Sequence, residues 1–178
     1  MKKVRREMKA LTVYYSRKGE NYFSGNIRNI AKGNTEIVAE YINEAVGGDI
    51  FEIETVKEYA KDYTKCTEEA MAEKKANARP ELKRIPDSID AYDVIFLGYP
   101  NWWGTAPMCV FTFLEAFDFA GKTIAPFCTN EGSGMGVSEK DIRNMCKGAK
   151  VVSGLSIRGS EAQVSKNRAV AWANEIMK

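Results

Sequence analysis

A three-layer, doubly wound α/β sandwich around a five-stranded parallel sheet is predicted for this chain by three observations. Five apolar runs of strand length alternate with segments of helical character. Three of those runs are apolar at consecutive positions, as burial on both faces of a parallel sheet requires. The length of 178 residues, with 44% hydrophobic content, suits one core. The expectation is a βαβαβαβαβα order in one domain over residues 1–178, with no internal repeat or flexible linker to divide it.

The first strand is LTVYYS (11–16). After a long loop, NTEIVAEYINEAVGG places Ile37, Val38, Tyr41, Ile42 and Ala45 along one helical face and stops at two glycines, with Asn34 or Thr35 as N-cap. DIFEIET (49–55) is the second strand, and a more polar helix fills part of 62–78. DVIFLGYP (93–100) is the third, followed by a helix within TAPMCVFTFLEAF whose first turn holds Pro107, where a missing N–H costs nothing. KTIAPFCT (122–129) is the fourth, and SEKDIRNMC begins the next helix with Ser138 and Asp141 in capping-box spacing. KVVSGLSI (150–157) is the fifth, before a last helix opened by a box of Ser160 and Gln163.

Composition narrows the function. The formal charge is only +2, and residues 1–9 hold five of the positive side chains against Glu7, so the remainder is near neutral. That balance offers no general attraction to nucleic acid, and the basic cluster reads as a solvated tail. LTVYY passes at once into SRKGEN, which is not a signal peptide, and no run approaches the ~18 apolar residues of a membrane span. A cytoplasmic location is expected. Cys66, Cys109, Cys128 and Cys146 contain no CxxC pair, which argues for four reduced, mostly buried thiols and against a metal site. The chain has no histidine, which removes a Ser-His-Asp triad and an imidazole proton shuttle. No catalytic residue and no metal ligand is assigned.

Doubly wound sheets bind ligands beyond the carboxyl ends of their strands, at the switch in strand order. Three loops there are unusual. The first, Ser16 to Glu36, supplies small residues, hydroxyls and an amide at a helix N-terminus, where free N–H groups and the helix dipole favour a phosphate. It has neither the G-x-G-x-x-G nor the G-x-x-x-x-G-K-[ST] spacing of dinucleotide and triphosphate sites. The second, LGYPNWWGTAP (97–107), sets two adjacent tryptophans on a turn. The third, TNEGSGMG (129–136), offers backbone amides to the edge of a planar ring. Together they describe a site for an aromatic ring with a phosphorylated tail.

On YYSRKG, GNTE, GYPNWWGTAP and TNEGSGMG, from Leu11 to the C-terminus, the chain resembles the flavodoxins, specifically the short-chain flavodoxin-like flavoproteins that bind FMN. The resemblance implies strand order 2-1-3-4-5. It implies that the FMN phosphate lies against Ser16, Lys18, Asn34 and Thr35, and that Pro100, Asn101, Trp102, Trp103 and Gly104 line the ring and ribityl chain. Thr129, Asn130, Glu131, Gly132, Ser133 and Gly134 would close over the ring's other side. One of the two tryptophans is expected to stack on the ring while the other packs beneath the loop.

One departure is conspicuous. About fourteen residues, ENYFSGNIRNIAKG, stand between Gly19 and Asn34. Either Tyr22, Phe23 or Arg28 folds over the site, or the insertion is a disordered surface loop. The resemblance implies electron transfer through FMN, to a redox partner protein or a small-molecule acceptor. The alternative is an NAD(P)H-dependent FMN or quinone reductase, and either a monomer or a dimer is compatible with the chain. Carrier flavodoxins are strongly acidic and this chain is not, whereas the absent pyridine-nucleotide fingerprint favours the carrier. A binding module that kept the fold and lost the flavin is disfavoured, because both tryptophans and all three loops remain.

Overall fold

A computed structural model describes residues 7–178; residues 1–6, most of the basic tail, lie outside it. In chain order the elements are β1 Ala10–Tyr14, β2 Gly19–Phe23, β3 Asn26–Ile30, α1 Asn34–Val46, β4 Asp49–Glu52, α2 Tyr63–Ala76, β5 Val94–Pro100, α3 Met108–Glu115, β6 Thr123–Asn130, α4 Ser138–Met145, β7 Lys150–Val151, β8 Leu155–Arg158 and α5 Lys166–Ile176. The main sheet is parallel and runs β4-β1-β5-β6, with β7 and β8 both on the far edge of β6. Counting its strands along the chain gives the expected 2-1-3-4-5.

The fifth strand is where the structure departs from a plain five-stranded sheet. Ile124 pairs with Val151 and Phe127 with Leu155, so two residues of β6 face three, and the strand breaks into β7 and β8. Pro126 sits at that gap and has no N–H to give the ladder. Gly154 fills it closely: a Cβ there would lie 2.8 Å from the Pro126 carbonyl oxygen.

Side chains alternate across the sheet. Leu11, Val13, Ile95, Leu97 and Tyr99 face α3 and α4, burying Cys109, Val110, Phe113 and Ile142. Ala10, Tyr14, Val94, Phe96 and Phe127 face α1 and α5, burying Val38, Ile42, Ala169 and Ala173. Gly98 belongs to the second face, where a Cβ would lie 2.2 Å from the Phe127 ring. Among the described residues no helix is long and apolar enough to cross a membrane.

Two expected capping boxes are replaced by longer-range bonds. Ser138 is buried, donates to the Met135 carbonyl at 2.6 Å and accepts from the Tyr99 hydroxyl at 2.9 Å; Asp141 accepts from Thr105 at 2.6 Å. Ser160 lies in a 3-10 turn, Gly159–Val164, and α5 starts only at Lys166. Local spacing found the start of α4 but not that of α5, and both hydroxyls bond outside the box, Ser138 to Tyr99 and Met135 and Ser160 to Glu131.

All four thiols are free and buried. Burial pushes Cys66 and Cys146 up to about 11 and Cys128 up to about 12. Because the folded values exceed the unfolded ones, the stability these groups contribute is fully present below the ordinary thiol value of 9.0 and lost as pH rises through about 11 to 12. Urea midpoints should therefore fall through that alkaline window. Replacing Cys66, Cys128 and Cys146 with alanine should flatten the decline; an unchanged slope would remove the thiols as its cause.

Candidate functional site

The chain leaves β1 for α1 on one face and β5 for α3 on the other, which opens a crevice beyond the carboxyl ends of these adjacent strands. Three loops meet there. At the first, α1 begins with Gly33 as N-cap, and its cap comes from a distance: the Ser16 hydroxyl accepts the Glu36 N–H at 3.0 Å. Gly33 is required for that approach, since a Cβ would lie 2.0 Å from Ser16 Oγ. The N–H groups of Asn34 and Thr35 find no acceptor among the described residues. With the helix dipole behind them they form an anion seat. Thr35 itself is 2% exposed and its hydroxyl is paired with that of Thr129 at 2.8 Å. Lys18 lines a depression shared with Ser16, Arg17, Glu52, Glu54 and Lys83.

The second loop is a two-residue hairpin. Trp102 and Thr105 exchange backbone bonds of 2.9 and 3.4 Å, with Trp103 at φ 57 and Gly104 at φ 85 between them. Positive φ at both central positions is the type I′ geometry. A tryptophan in that region costs on the order of 1–2 kcal/mol. Surrounding bonds hold it there: the Lys74 ammonium donates to the Trp103 carbonyl, the Gly104 N–H to Asn101 Oδ1 at 2.8 Å, and the Val137 N–H to the Gly104 carbonyl at 2.7 Å. The two tryptophans part company. Trp102 is half-buried, edge-on to Tyr15 at 5.3 Å and Tyr59 at 4.9 Å. Trp103 is 47% exposed and its indole N–H donates to the Thr67 carbonyl of α2 at 2.9 Å.

In the third loop, Asn130 Oδ1 accepts the N–H groups of Gly132 (2.9 Å) and Gly134 (3.0 Å), and its amide donates to Ser156. Those two glycine amides, which the sequence suggested for a ring edge, are therefore used to shape the loop. Asn101 ties the second and third loops together, donating to the Gly134 carbonyl at 2.8 Å while its own N–H bonds the Thr129 carbonyl at 2.9 Å. Glu131 accepts from the Ser160 N–H at 2.7 Å and from the Ser24 N–H at 3.3 Å.

Ser24 belongs to the insertion, which is a paired ribbon bonded to the third loop and not a disordered surface loop. Strands β2 and β3 pair antiparallel from Gly19↔Ile30 to Phe23↔Asn26 as a two-stranded ribbon outside the main sheet. Glu131 holds its tip. Near its base Glu20 accepts the Tyr63 N–H at the start of α2 at 2.7 Å, and nearer the tip Tyr22 stacks on the same Tyr63 at 6.4 Å. Phe23 and Arg28 pair with each other, the guanidinium lying 5.0 Å from the ring centroid. Glu20→Ala should raise amide exchange in the ribbon by roughly tenfold, the loss of one bond to a charged acceptor. Equal exchange in both proteins would show that the Glu20 contact does not hold the ribbon.

The ribbon, α2 and the three loops enclose two adjoining cavities. One, of about 240 Å³, runs from Asn34, Thr129 and Gly159 past Asn130, Glu131 and Ser133 to Pro100, Asn101 and Trp102, with Asn21, Tyr22 and Tyr63 on the ribbon side. The other, of about 410 Å³, shares Asn21, Tyr63, Asn101 and Trp102 and extends to Arg17, Cys66, Thr67, Ala70 and Trp103. Burial pushes up the hydroxyls of Tyr63, which lines both cavities, and of Tyr15 and Tyr59, which pack against Trp102, so these aromatic groups are neutral. A larger groove of about 920 Å³ lies at the opposite end of the sheet, by the amino ends of β6 and β7, against Met8, Thr123 and Ile176 and away from all three loops. Asn21, Tyr63 and Gly159 were not singled out from the sequence. Tyr63 offered one signal, an aromatic residue at the start of an otherwise polar helix.

The sequence pattern of the flavodoxin family matches residues 21–176 of this chain. Flavodoxin 1 of Escherichia coli (strain K12) is 26% identical over 99 residues, which cover 53% of this chain and 42% of that protein. The chain thus spans less than half the length of the curated relatives it matches. Among solved structures, a protein from Bacteroides eggerthii DSM 20697 provisionally described as a flavoprotein superposes with a TM-score of 0.74 at 29% identity, covering 96% of this chain and 99% of the other. A flavoprotein from Lactobacillus acidophilus NCFM, solved in complex with FMN, shares the fold with a TM-score of 0.63 at 22% identity over 88% of this chain and 97% of that one.

Proposed function

The chain belongs to the flavodoxin family, and from that premise we propose that it binds FMN across the three loops, along the open cavity from Asn34 to Trp102, and mediates electron transfer through it. One observation carries this reading: two unpartnered N–H groups at the start of α1 lie at one end of a cavity that ends on Trp102. The donor set fits the group. The Asn34 and Thr35 amides would hold the phosphate, helped by the Asn34 side chain and by Ser16, whose hydroxyl already orders this turn. Pro100, Asn101 and Trp102 would flank the ring and ribityl chain, and the 129–134 loop, fixed by Asn130, would cover them. The ribbon would exclude water from the mouth. Bound FMN supplies the one- and two-electron redox chemistry, for which no imidazole or acid–base pair is needed.

Purified protein incubated with FMN and passed through a desalting column should keep about one flavin per chain, visible as bands in the blue and near-ultraviolet. A colourless eluate would overturn the reading. A second reading, an NAD(P)H-dependent reductase of a small acceptor, is favoured by the 410 Å³ cavity beside Trp102. Anaerobic mixing of the FMN-loaded protein with NADH and with NADPH separates the two. Rapid bleaching by either nucleotide supports the reductase, and no oxidation of the nucleotide supports a carrier served by a protein partner.

A further inference from the structure

We propose that the 410 Å³ cavity takes a second ligand beside the flavin: a planar aromatic molecule carrying an oxyanion or conjugated carbonyl oxygen, seated against Arg17. The inference rests on the flavin reading, because the two cavities meet at Asn21, Tyr63, Asn101 and Trp102. Three aromatic side chains, Tyr63, Trp102 and Trp103, line a space whose small apolar members are Ala70 and Cys66. Flat walls of that kind suit a flat guest.

The polar side is cationic. Arg17 is the one ionised side chain in the lining, and it makes no salt bridge among the described residues. Its Nε donates to the Glu20 carbonyl at 2.9 Å and one terminal nitrogen to the Lys61 carbonyl at 2.7 Å, which fixes the guanidinium plane. The other terminal nitrogen has no acceptor among the described residues. Neutral carbonyls orient the group without cancelling its charge, so an anionic or strongly polarised oxygen completes it. The Asn21 side-chain amide donates to the Arg17 and Gly19 carbonyls at 2.9 and 3.3 Å, and among the described residues its Oδ1 accepts nothing from the Arg17 guanidinium.

The test uses oxidised, FMN-loaded protein, so that binding is read without turnover. Calorimetric titration compares 2-hydroxy-1,4-naphthoquinone, an anion at neutral pH, with neutral 2-methoxy-1,4-naphthoquinone. Both should bind at one site per chain, the anion about tenfold more tightly, the worth of one charge-assisted hydrogen bond. Arg17→Gln should erase the anion's advantage and Arg17→Lys should keep part of it. Ala70→Phe, which fills the cavity, should abolish binding of both while FMN affinity, measured on the same preparation, stays unchanged. Equal affinity for the two quinones, or no binding to the loaded protein, would overturn the proposal. So would quinone binding only to flavin-free protein with displacement by FMN, which would make this cavity the flavin ring's own seat. If FMN fails to bind, the flavin reading falls by itself, and Arg17-dependent binding of the anion to the flavin-free protein still supports the cavity assignment.

Discussion

Titrated side by side, FMN should bind this protein at least about a hundredfold more tightly than riboflavin. Hydrogen bonds to a charged group contribute roughly 1.5–3 kcal/mol each, and 1.4 kcal/mol is a factor of ten. Two unpartnered amides at the start of α1, at about 1.5 kcal/mol or more each, therefore reach about a hundredfold. The structure also says which substitution isolates them. Proline is tolerated at the first helical position and removes one N–H, so Asn34→Pro should weaken FMN by about tenfold relative to Asn34→Ala and leave riboflavin unaffected. Thr35→Ala tests something else. It leaves the Thr129 hydroxyl buried without its 2.8 Å partner, and its main effect should be about 1–3 kcal/mol of lost stability. Equal affinity of the protein for FMN and riboflavin would remove the phosphate seat.

Trp102→Ala should cost about 3–5 kcal/mol of folding stability, the range for deleting a large aromatic side chain from a packed site. Trp102 lies edge-on to two other rings and packs on the core beneath the sheet's α3 face. Trp103→Ala should cost under about 1 kcal/mol, because the ring is largely exposed and its loss also removes a bulky residue from a left-handed position. FMN affinity should drop in the first variant and change little in the second. The reverse order in chemical denaturation would show that the turn is stabilised by Trp103 against α2, through its bond to Thr67, and not from within.

The sheet was legible in the sequence because burial on two faces leaves a simple mark, consecutive apolar residues in VIFLGY and IAPFC. The break in the fifth strand was not, since it depends on Pro126 of a neighbouring strand facing residues 152–154. The same limit applies at the site. GNTE marks a helix start by local composition, but only the fold shows that Ser16 supplies its cap and that Thr35 is turned toward Thr129. The insertion carried a turn signal, Ser24-Gly25 between NYF and NIRNI, and its period-two pattern is too short and polar to distinguish a ribbon from a loop. Its attachments, to Tyr63 and Glu131, come from residues 43 and 107 positions away and leave no trace in local sequence.

The most direct test of FMN bound across these three loops is a proton–nitrogen correlation spectrum of labelled protein titrated with FMN and then with riboflavin. With FMN, the largest shifts should fall on the Asn34 and Thr35 amides and on the Trp102 indole. With riboflavin the indole should still move while the two amides should not. Shifts confined to the groove around Met8 and Ile176, or amides of Asn34 and Thr35 that respond equally to both flavins, would contradict the account.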